Sequence, residues 1–250
     1  MQNKVKLYLT SSPFGNYRTD SGEPDYPGFN PENGLLEELR KDWPENARVL
    51  LVSADPYNMD GNDMMLDYFK GRIAGDELST LWVEIFDARN ADLLIDTMSQ
   101  FDVIIFGGGH VPTMNSFLHE YGVAEALLDF EGIVMGISAG SMNCAETVYA
   151  SPEEPGEAVD PDYERYLPGL GLTECQIMPH YQAVRWDVLD GLRLVEDILC
   201  PDSMGNCFIA LPDGSFILQR EGVPMLCGPG YFIQEGAIFP VGRPGSVTAL

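Results

Sequence analysis

The chain is poor in the residues that cross-link small domains or bind metals. It has five cysteines and three histidines among 250 residues, and the cysteines are an odd set without a CxxC pair. This pattern indicates neither a disulfide framework nor a zinc site, so we expect reduced thiols, no metal and no cofactor. A chain of this length can bury a full apolar core without such cross-links. The cysteines are Cys144, Cys175, Cys200, Cys207 and Cys227.

Basic residues are also scarce. Lys and Arg total 14 against 39 Asp and Glu, which gives a formal net charge of −25. Nucleic-acid binding needs Lys and Arg clustered on one face, so we expect no nucleic-acid partner. The same negative field repels anionic substrates, and an acidic substrate would therefore need a local basic contact.

Long apolar runs are absent. The longest, "DVIIFGGG" and "GIVMGIS", are far shorter than the roughly 20 residues of a membrane span. The N-terminal "MQNKVKLYLTSSPFG" lacks the apolar core of a signal peptide. We therefore predict a cytoplasmic protein without membrane contact, and we leave its oligomeric state open between monomer and homodimer.

The first 145 residues alternate between β-rich runs and helical patterns. Continuous apolar strands separated by helices indicate a parallel sheet that is covered on both faces. The predicted strands are 4–10, 47–54, 81–87, 102–109 and 132–138. The predicted helices are 35–43, 59–70, 90–100, 112–129 and 139–148.

The second half of the chain is less regular. Residues 150–171 are acidic and rich in Pro and Gly, which predicts an excursion over the surface, either a lid or inert surface. A strand-like run at 172–178 and a helix at about 184–199 follow. From Asn206, short strands with turn signals predict an antiparallel extension of the same sheet. No break in composition marks a second domain, so we predict a single domain over 1–250.

The segment "GISAG" places Ser138 in a G-x-S-x-G pattern, after an apolar strand and before a helix. In this pattern the glycines allow a strained turn that exposes the hydroxyl as a nucleophile. The structural alternative is a tight turn in which the serine only caps the helix.

Three consecutive glycines end the strand before this one, in "FGGGHVPT". Such a run lets backbone amides approach a ligand closely, as an oxyanion hole requires, but it is also typical of a flexible turn. The run lacks the patterns that bind nucleotide phosphates.

A serine nucleophile needs a base, and the chain offers three histidines. His180 follows an apolar run and a proline, where the end of a strand would face a cleft. His110 stands beside the triple glycine and could instead contact substrate or cap a helix, and His119 lies near a helix end. A carboxylate must orient the imidazole. Asp213 in "LPDGS" is a candidate, although Asp-Gly is also a hairpin signal and the chain has many acids.

Taken in order, the triple glycine, "GISAG", "PHY" and "LPDG" resemble peptidase E, the aspartyl dipeptidase family of serine peptidases, to which cyanophycinase is related. The resemblance covers nearly the whole chain. It implies a flavodoxin-like, three-layer α/β sandwich and a serine peptidase that acts on short peptides. It also implies that Ser138 is the nucleophile, His180 the general base and Asp213 the acid. The amides of Gly109 and Ala139 would form the oxyanion hole.

Two positions depart from the family pattern. His110 stands where the family usually has asparagine after the triple glycine, and we expect it to contact substrate. No arginine aligns with the one that binds the aspartyl side chain in the dipeptidases, and Arg185 is a better candidate than Arg193. Cleavage of dipeptides with N-terminal Asp is therefore an expectation from relatives alone. The alternatives are a non-catalytic binding protein on the same scaffold and a glutamine amidotransferase-like enzyme, which would need cysteine at position 138.

Overall fold

Strands and helices alternate through the first half of the chain, as predicted. The computed structural model describes residues 5–14 and 28–250. The strands of this half are β1 (Lys6–Thr10), β2 (Ala47–Val52), β3 (Thr80–Phe86), β4 (Val103–Phe106) and β5 (Ile133–Ile137). The helices are α1 (Leu35–Asp42), α2 (Met59–Gly75), α3 (Ala91–Leu94), α4 (Val111–Glu120), α5 (Val123–Ala126) and α6 (Ala139–Asn143). Short 3-10 segments precede α1 (Glu32–Gly34) and follow α3 (Ile95–Gln100).

Short strands dominate the second half. They are β6 (Thr147–Tyr149), β7 (Tyr166–Pro168), β8 (Gln176–Met178), β9 (Val188–Leu189), β10 (Leu192–Arg193), β11 (Cys207–Ala210), β12 (Phe216–Arg220), β13 (Val223–Cys227), β14 (Gly230–Gln234), β15 (Ala237–Val241) and β16 (Val247–Ala249). The helices are α7 (Tyr181–Val184), a π-helical segment (Leu194–Leu199) and α8 (Cys200–Asp202).

The described residues place eight strands in the central sheet, in the order β16-β13-β12-β1-β5-β4-β2-β3. Strands β1 to β5 are parallel to one another, and β12, β13 and β16 continue the sheet antiparallel beyond β1. Alternate residues of a strand face opposite sides of the sheet. One apolar core therefore packs against α3, α4, α5 and α6, and the other packs against α1 and α2. This is an α/β fold with a mainly parallel sheet and antiparallel C-terminal strands.

Three of the predicted helices end early or are interrupted by non-helical residues. The helix predicted over 112–129 is two helices, because Gly122 takes a left-handed conformation (φ 64°) that ends the first. The helix predicted over 139–148 ends at Asn143, and the chain continues into β6. The helix predicted over 184–199 is interrupted by the β9–β10 hairpin, whose turn residues Asp190 and Gly191 both have positive φ. An Asp-Gly turn is a hairpin signal, and it prevails here over the helical spacing.

The C-terminal tail does not extend only the central sheet, and that prediction is wrong in part. β12, β13 and β16 join the central sheet, whereas β11, β14 and β15 form a separate four-stranded sheet with β8. The chain crosses from one sheet to the other between β11 and β12, through a turn at Gly214 (φ 86°). The Gly-, Pro- and Asn-rich segment 11–33, for which the sequence predicts a loop, lies partly outside the described residues. In the part of the chain that the structure covers, no helix is both long and apolar enough to cross a membrane.

Candidate active site

The candidate site lies where four strands end. In the central sheet β1 and β5 run parallel with Thr10 opposite Ile137, so Ser11 and Ser138 follow at the same edge. In the second sheet β8 and β11 run parallel with Met178 opposite Ala210, and His180 and Asp213 follow their ends. The carboxyl ends of parallel strands lie at one edge of a sheet. Each sheet therefore contributes two side chains to one place.

Ser138 occupies a strained turn between β5 and α6. Its backbone has φ 50° and ψ −113°, a conformation that is costly for a residue with a side chain. The Ser138 N–H donates to the Thr10 carbonyl at 3.0 Å, which holds the turn against β1. A side chain at Gly136 would lie 2.5 Å from the Ser141 Cα atom, and one at Gly140 would collide with the Phe106 carbonyl. The two glycines of the motif are thus required by close packing.

Three side chains form one hydrogen-bonded chain. The Nε2 atom of His180 lies 3.0 Å from the Ser138 Oγ atom, and its Nδ1 atom lies 2.7 Å from the Asp213 Oδ1 atom. An ionised carboxylate only accepts hydrogen bonds, so Nδ1 carries the proton toward Asp213 and Nε2 accepts from the serine hydroxyl. The imidazole keeps 31% of its surface exposed, whereas the Asp213 side chain keeps 2%.

Asp213 is held by groups that favour its charged form. Burial alone would raise its pKa, but the hydrogen bonds from His180 and Ser11 and the charge of His180 outweigh burial and lower the pKa below its usual value. The Ser11 hydroxyl donates to Asp213 Oδ1 at 2.6 Å and accepts from the His180 backbone N–H at 2.7 Å. The Gln182 side-chain oxygen accepts from the Asp213 N–H at 2.9 Å. The carboxylate is therefore ionised at neutral pH.

Ser11 and Gln182 were not predicted from the sequence. Ser11 directly follows a predicted strand, and its position beside Ser138 depends on the pairing of β1 with β5. Gln182 is two residues from His180 in the short helix α7. Only the strand order, which the sequence pattern did not specify, could have identified them.

The residues proposed to supply the oxyanion-hole amides, Gly109 and Ala139, can be located relative to the serine. Gly109 lines the same cavity as Ser138, and Ala139 begins α6 directly after it. Within the described residues, the amides of Gly109 and Ala139 have no hydrogen-bond partner. Their role as an oxyanion hole stays a prediction.

A cavity of about 610 Å³ opens beside the three side chains. Its lining includes Ser11, Ser138, His180 and Asp213, together with Ser12 and glycines 108 and 109. The remaining lining is apolar or aromatic and consists of Phe14, Met64, Met65, Tyr68, Phe69 and Ile137.

His110 and Arg185, the residues predicted to bind substrate, do not line this cavity. His110 begins α4, where its Nδ1 atom lies 2.8 Å from the Thr113 hydroxyl and its Nε2 atom 2.9 Å from Glu157. The Arg185 guanidinium stacks over the rings of Trp186 and Tyr181, at 4.5 and 5.7 Å from the ring centroids.

The other two candidates from the sequence also have structural partners. Arg193 forms an ion pair with Asp197, with 2.7 Å between its Nη2 atom and Asp197 Oδ1. The His119 Nε2 atom lies 2.8 Å from the Pro168 carbonyl. Both residues therefore anchor local structure.

The acidic excursion 150–171 is attached to the body of the protein. Glu157 contacts His110, and its other oxygen accepts from the backbone N–H groups of Glu153 and Glu154. Arg165 forms an ion pair with Asp202 at 2.5 Å. The excursion is thus held at both its tip and its base, and a role as a lid stays a prediction.

No cysteine nucleophile is available at the turn between β5 and α6. Position 138 is serine, and Cys144 is fully buried. Burial raises the pKa of the Cys144 thiol far above its ordinary value, so no thiolate forms at neutral pH. In the described parts of the chain, no three His, Cys, Asp or Glu side chains are placed to share a metal ion.

Comparison with known proteins identifies the family. The model of Peptidase family S51 matches residues 76–218, which is more than half of the chain and includes Ser138, His180 and Asp213. The chain therefore belongs to peptidase family S51, the family of peptidase E and cyanophycinase, and the resemblance predicted from its motifs is confirmed.

One solved structure supports the fold. It is a crystal structure from Listeria monocytogenes EGD-e described as a "Putative Peptidase E Protein". The two chains are 16% identical, with a TM-score of 0.55 over 95% of this chain and 98% of the other. At this identity the likeness concerns the fold alone. No curated protein sequence matches the chain significantly.

Proposed function

We propose that this member of family S51 is a serine peptidase that hydrolyses short peptides through an acyl-enzyme. Ser138 is the nucleophile, His180 the general base and Asp213 the residue that orients the imidazole. The observation that carries the proposal is the continuous hydrogen-bonded chain, 3.0 Å from the serine hydroxyl to the imidazole and 2.7 Å from the imidazole to the carboxylate. These distances are within reach for proton transfer.

The reaction follows from this geometry in two halves. As the Ser138 Oγ atom attacks the peptide carbonyl, its proton passes to His180 Nε2, and the imidazolium is stabilised by the Asp213 carboxylate. The same proton is then donated to the leaving amine as the C–N bond breaks. In the second half water loses a proton to Nε2 and attacks the ester carbonyl. The bond between the acyl carbon and Ser138 Oγ then breaks, and the proton on Nε2 passes to Oγ, which releases the acid and restores the hydroxyl.

The negative charge that develops on the carbonyl oxygen needs donors, and the amides of Gly109 and Ala139 are proposed for this role. Each such donor is typically worth about 2.7–4 kcal/mol in the transition state. Gly109 lines the same cavity as the nucleophile, Ala139 follows it directly in the chain, and both amides lack partners within the described residues, which supports the assignment. A pre-formed pair of donors requires no rearrangement during the reaction.

The expected preference for N-terminal aspartate finds no support in the cavity. No Lys or Arg is among its described lining residues, and the proposed Arg185 contact lies against two aromatic rings elsewhere. The proposed substrates are therefore short peptides, without the acidic restriction.

The test is covalent labelling together with a nucleophile variant. A fluorophosphonate should modify Ser138, and Ser138→Ala should reduce kcat on cleaved dipeptides by roughly 10⁶-fold. The matched control is Ser151→Ala, because the Ser151 hydroxyl is buried and has no hydrogen-bond partner among the residues that the structure describes. We expect that variant to keep wild-type activity. Retention of most activity in Ser138→Ala, or absence of both labelling and hydrolysis in the wild type, would refute the proposal.

A further inference from the structure

The apolar part of the cavity lining, called the wall below, comes largely from one helix face. Met64 and Tyr68 are four residues apart on α2, as are Met65 and Phe69, so the two pairs present adjacent strips of one helix surface. Phe14, which follows β1, completes the wall. These residues lie outside segment 76–218, which the family match covers, so family membership does not determine the chemistry of the wall.

The aromatic part of the wall is held in place by ring contacts. The Phe14 ring lies 5.5 Å from the centroids of both Tyr68 and Phe69, in edge-to-face geometry, and 5.2 Å from Phe29. Such pairs stabilise one arrangement of the rings. Phe14 and Phe69 are buried, so the surface that they offer is formed before a ligand enters.

Charge on the wall is limited. The described lining residues include no Lys or Arg, and the titratable groups besides Tyr68 are His180 and Asp213 of the triad. Arg72 is close, but its guanidinium stacks over Tyr68 and Phe14 at 4.3 and 4.8 Å from their centroids and does not line the cavity. A carboxylate that entered the cavity would lose its hydrating water without gaining a cationic partner from these residues. An apolar group has no such hydration to lose.

We infer that the substrate side chain that enters this cavity is apolar, aromatic or long aliphatic, and not acidic. The inference rests on the proposed function, because it assigns the side chain next to the bond that Ser138 attacks. The volume, about 610 Å³, is ample for one such side chain together with adjoining main chain. The net charge of −25 acts in the same direction by repelling acidic peptides.

The experiment measures kcat/KM for a panel of dipeptides: Phe-Ala, Leu-Ala, Ala-Phe, Ala-Leu, Asp-Ala, Ala-Asp and Ala-Ala. We expect the best apolar substrate to exceed both acidic ones by at least about tenfold, since hydrophobic pockets commonly discriminate by that amount. Met64→Arg then places a cation at the mouth of the cavity. Met64 is 74% exposed, so the variant should fold, and the ratio of apolar to acidic kcat/KM should fall by at least about tenfold.

The matched control is Met204→Arg, which makes the same change in net charge at another exposed methionine that does not line the cavity. It should leave the ratio unchanged. A wild-type preference for acidic dipeptides would overturn the inference, as would an equal shift of the ratio in both variants. The wild-type panel tests the inference even if Met64→Arg does not fold.

Failure of the inference is distinguishable from failure of the proposed function. If a fluorophosphonate labels Ser138 and acidic dipeptides are the best substrates, the inference alone is wrong. If neither labelling nor hydrolysis occurs, the proposed function is wrong. Calorimetric binding of intact Phe-Ala and Asp-Ala to Ser138→Ala then tests the cavity separately. Tighter binding of Phe-Ala supports an apolar site, and tighter binding of Asp-Ala refutes it.

Discussion

Ser11→Ala tests whether the carboxylate of the triad depends on its neighbour. The substitution removes a hydroxyl that donates to Asp213 Oδ1 at 2.6 Å and accepts from the His180 N–H at 2.7 Å. Ser11 is completely buried, so water cannot readily replace either contact. A hydrogen bond to a charged group contributes about 1.5–3 kcal/mol, and the His180 N–H left without a partner costs about 1–3 kcal/mol.

The first of these contributions acts on the reaction. Asp213 must hold the imidazole and stabilise the imidazolium that forms in the transition state, so a loss of about 1.5–3 kcal/mol corresponds to roughly 10- to 150-fold in kcat. The second lowers the stability of the folded protein, whether or not substrate is bound. We therefore expect a lower Tm and a lower kcat, with a smaller change in KM because the Ser11 hydroxyl is already committed to Asp213 and His180.

The assay is steady-state hydrolysis of the best dipeptide, with active sites counted by fluorophosphonate titration so that unfolded protein does not contribute. Ser151→Ala is the matched control, since it also removes a buried hydroxyl but breaks no hydrogen bond within the described part of the chain. A Ser11→Ala enzyme whose kcat per titrated site stays within about twofold of the wild type would refute the reasoning.

Three further variants test other parts of the structure. Asp213→Asn should lower kcat by about 10⁴-fold, because the amide no longer holds the imidazole in the required tautomer; an unchanged kcat would exclude Asp213 as the orienting residue. Gly140→Ala should lower the free energy of unfolding in urea by about 1–3 kcal/mol, because the new methyl group meets the Phe106 carbonyl. Gly71→Ala, in the open on α2, should not lower it, and equal losses would contradict the argument. Burial raises the pKa of the Glu157 carboxyl, but its hydrogen bonds lower the pKa more, so the net shift is downward from 4.5. The ionised carboxylate therefore stabilises the folded protein above pH 4.5, and this contribution is lost as the pH falls through the lowered pKa. Glu157→Gln should therefore lower Tm at pH 7 and converge with the wild type in acid, whereas a constant difference in Tm would contradict this.

Much of the fold could be predicted because the local apolar and helical patterns of the sequence favour the same strands and helices that the sheet requires. The apolar runs at 47–54 and 132–138 are strands, and the helical spacing between them gives helices that cover both faces of the sheet. The predictions failed where a turn signal competed with helical spacing, as at Asp190 and Gly191. They also failed where consecutive strands are divided between two sheets, as in the tail after Asn206.

The order of the motifs, and the positions of Ser138, His180 and Asp213 after apolar runs, could be read from the amino-acid sequence alone. Strand ends and tight turns leave local patterns of glycine, proline and apolar residues. The three-dimensional packing was needed to show that Ser11 supports Asp213, that Glu157 contacts His110, and that Met64 and Tyr68 line the same cavity as the nucleophile. These contacts join residues 47 to 202 positions apart. They depend on which strands pair and in what register, and that choice is made by the burial of apolar surface over the whole chain.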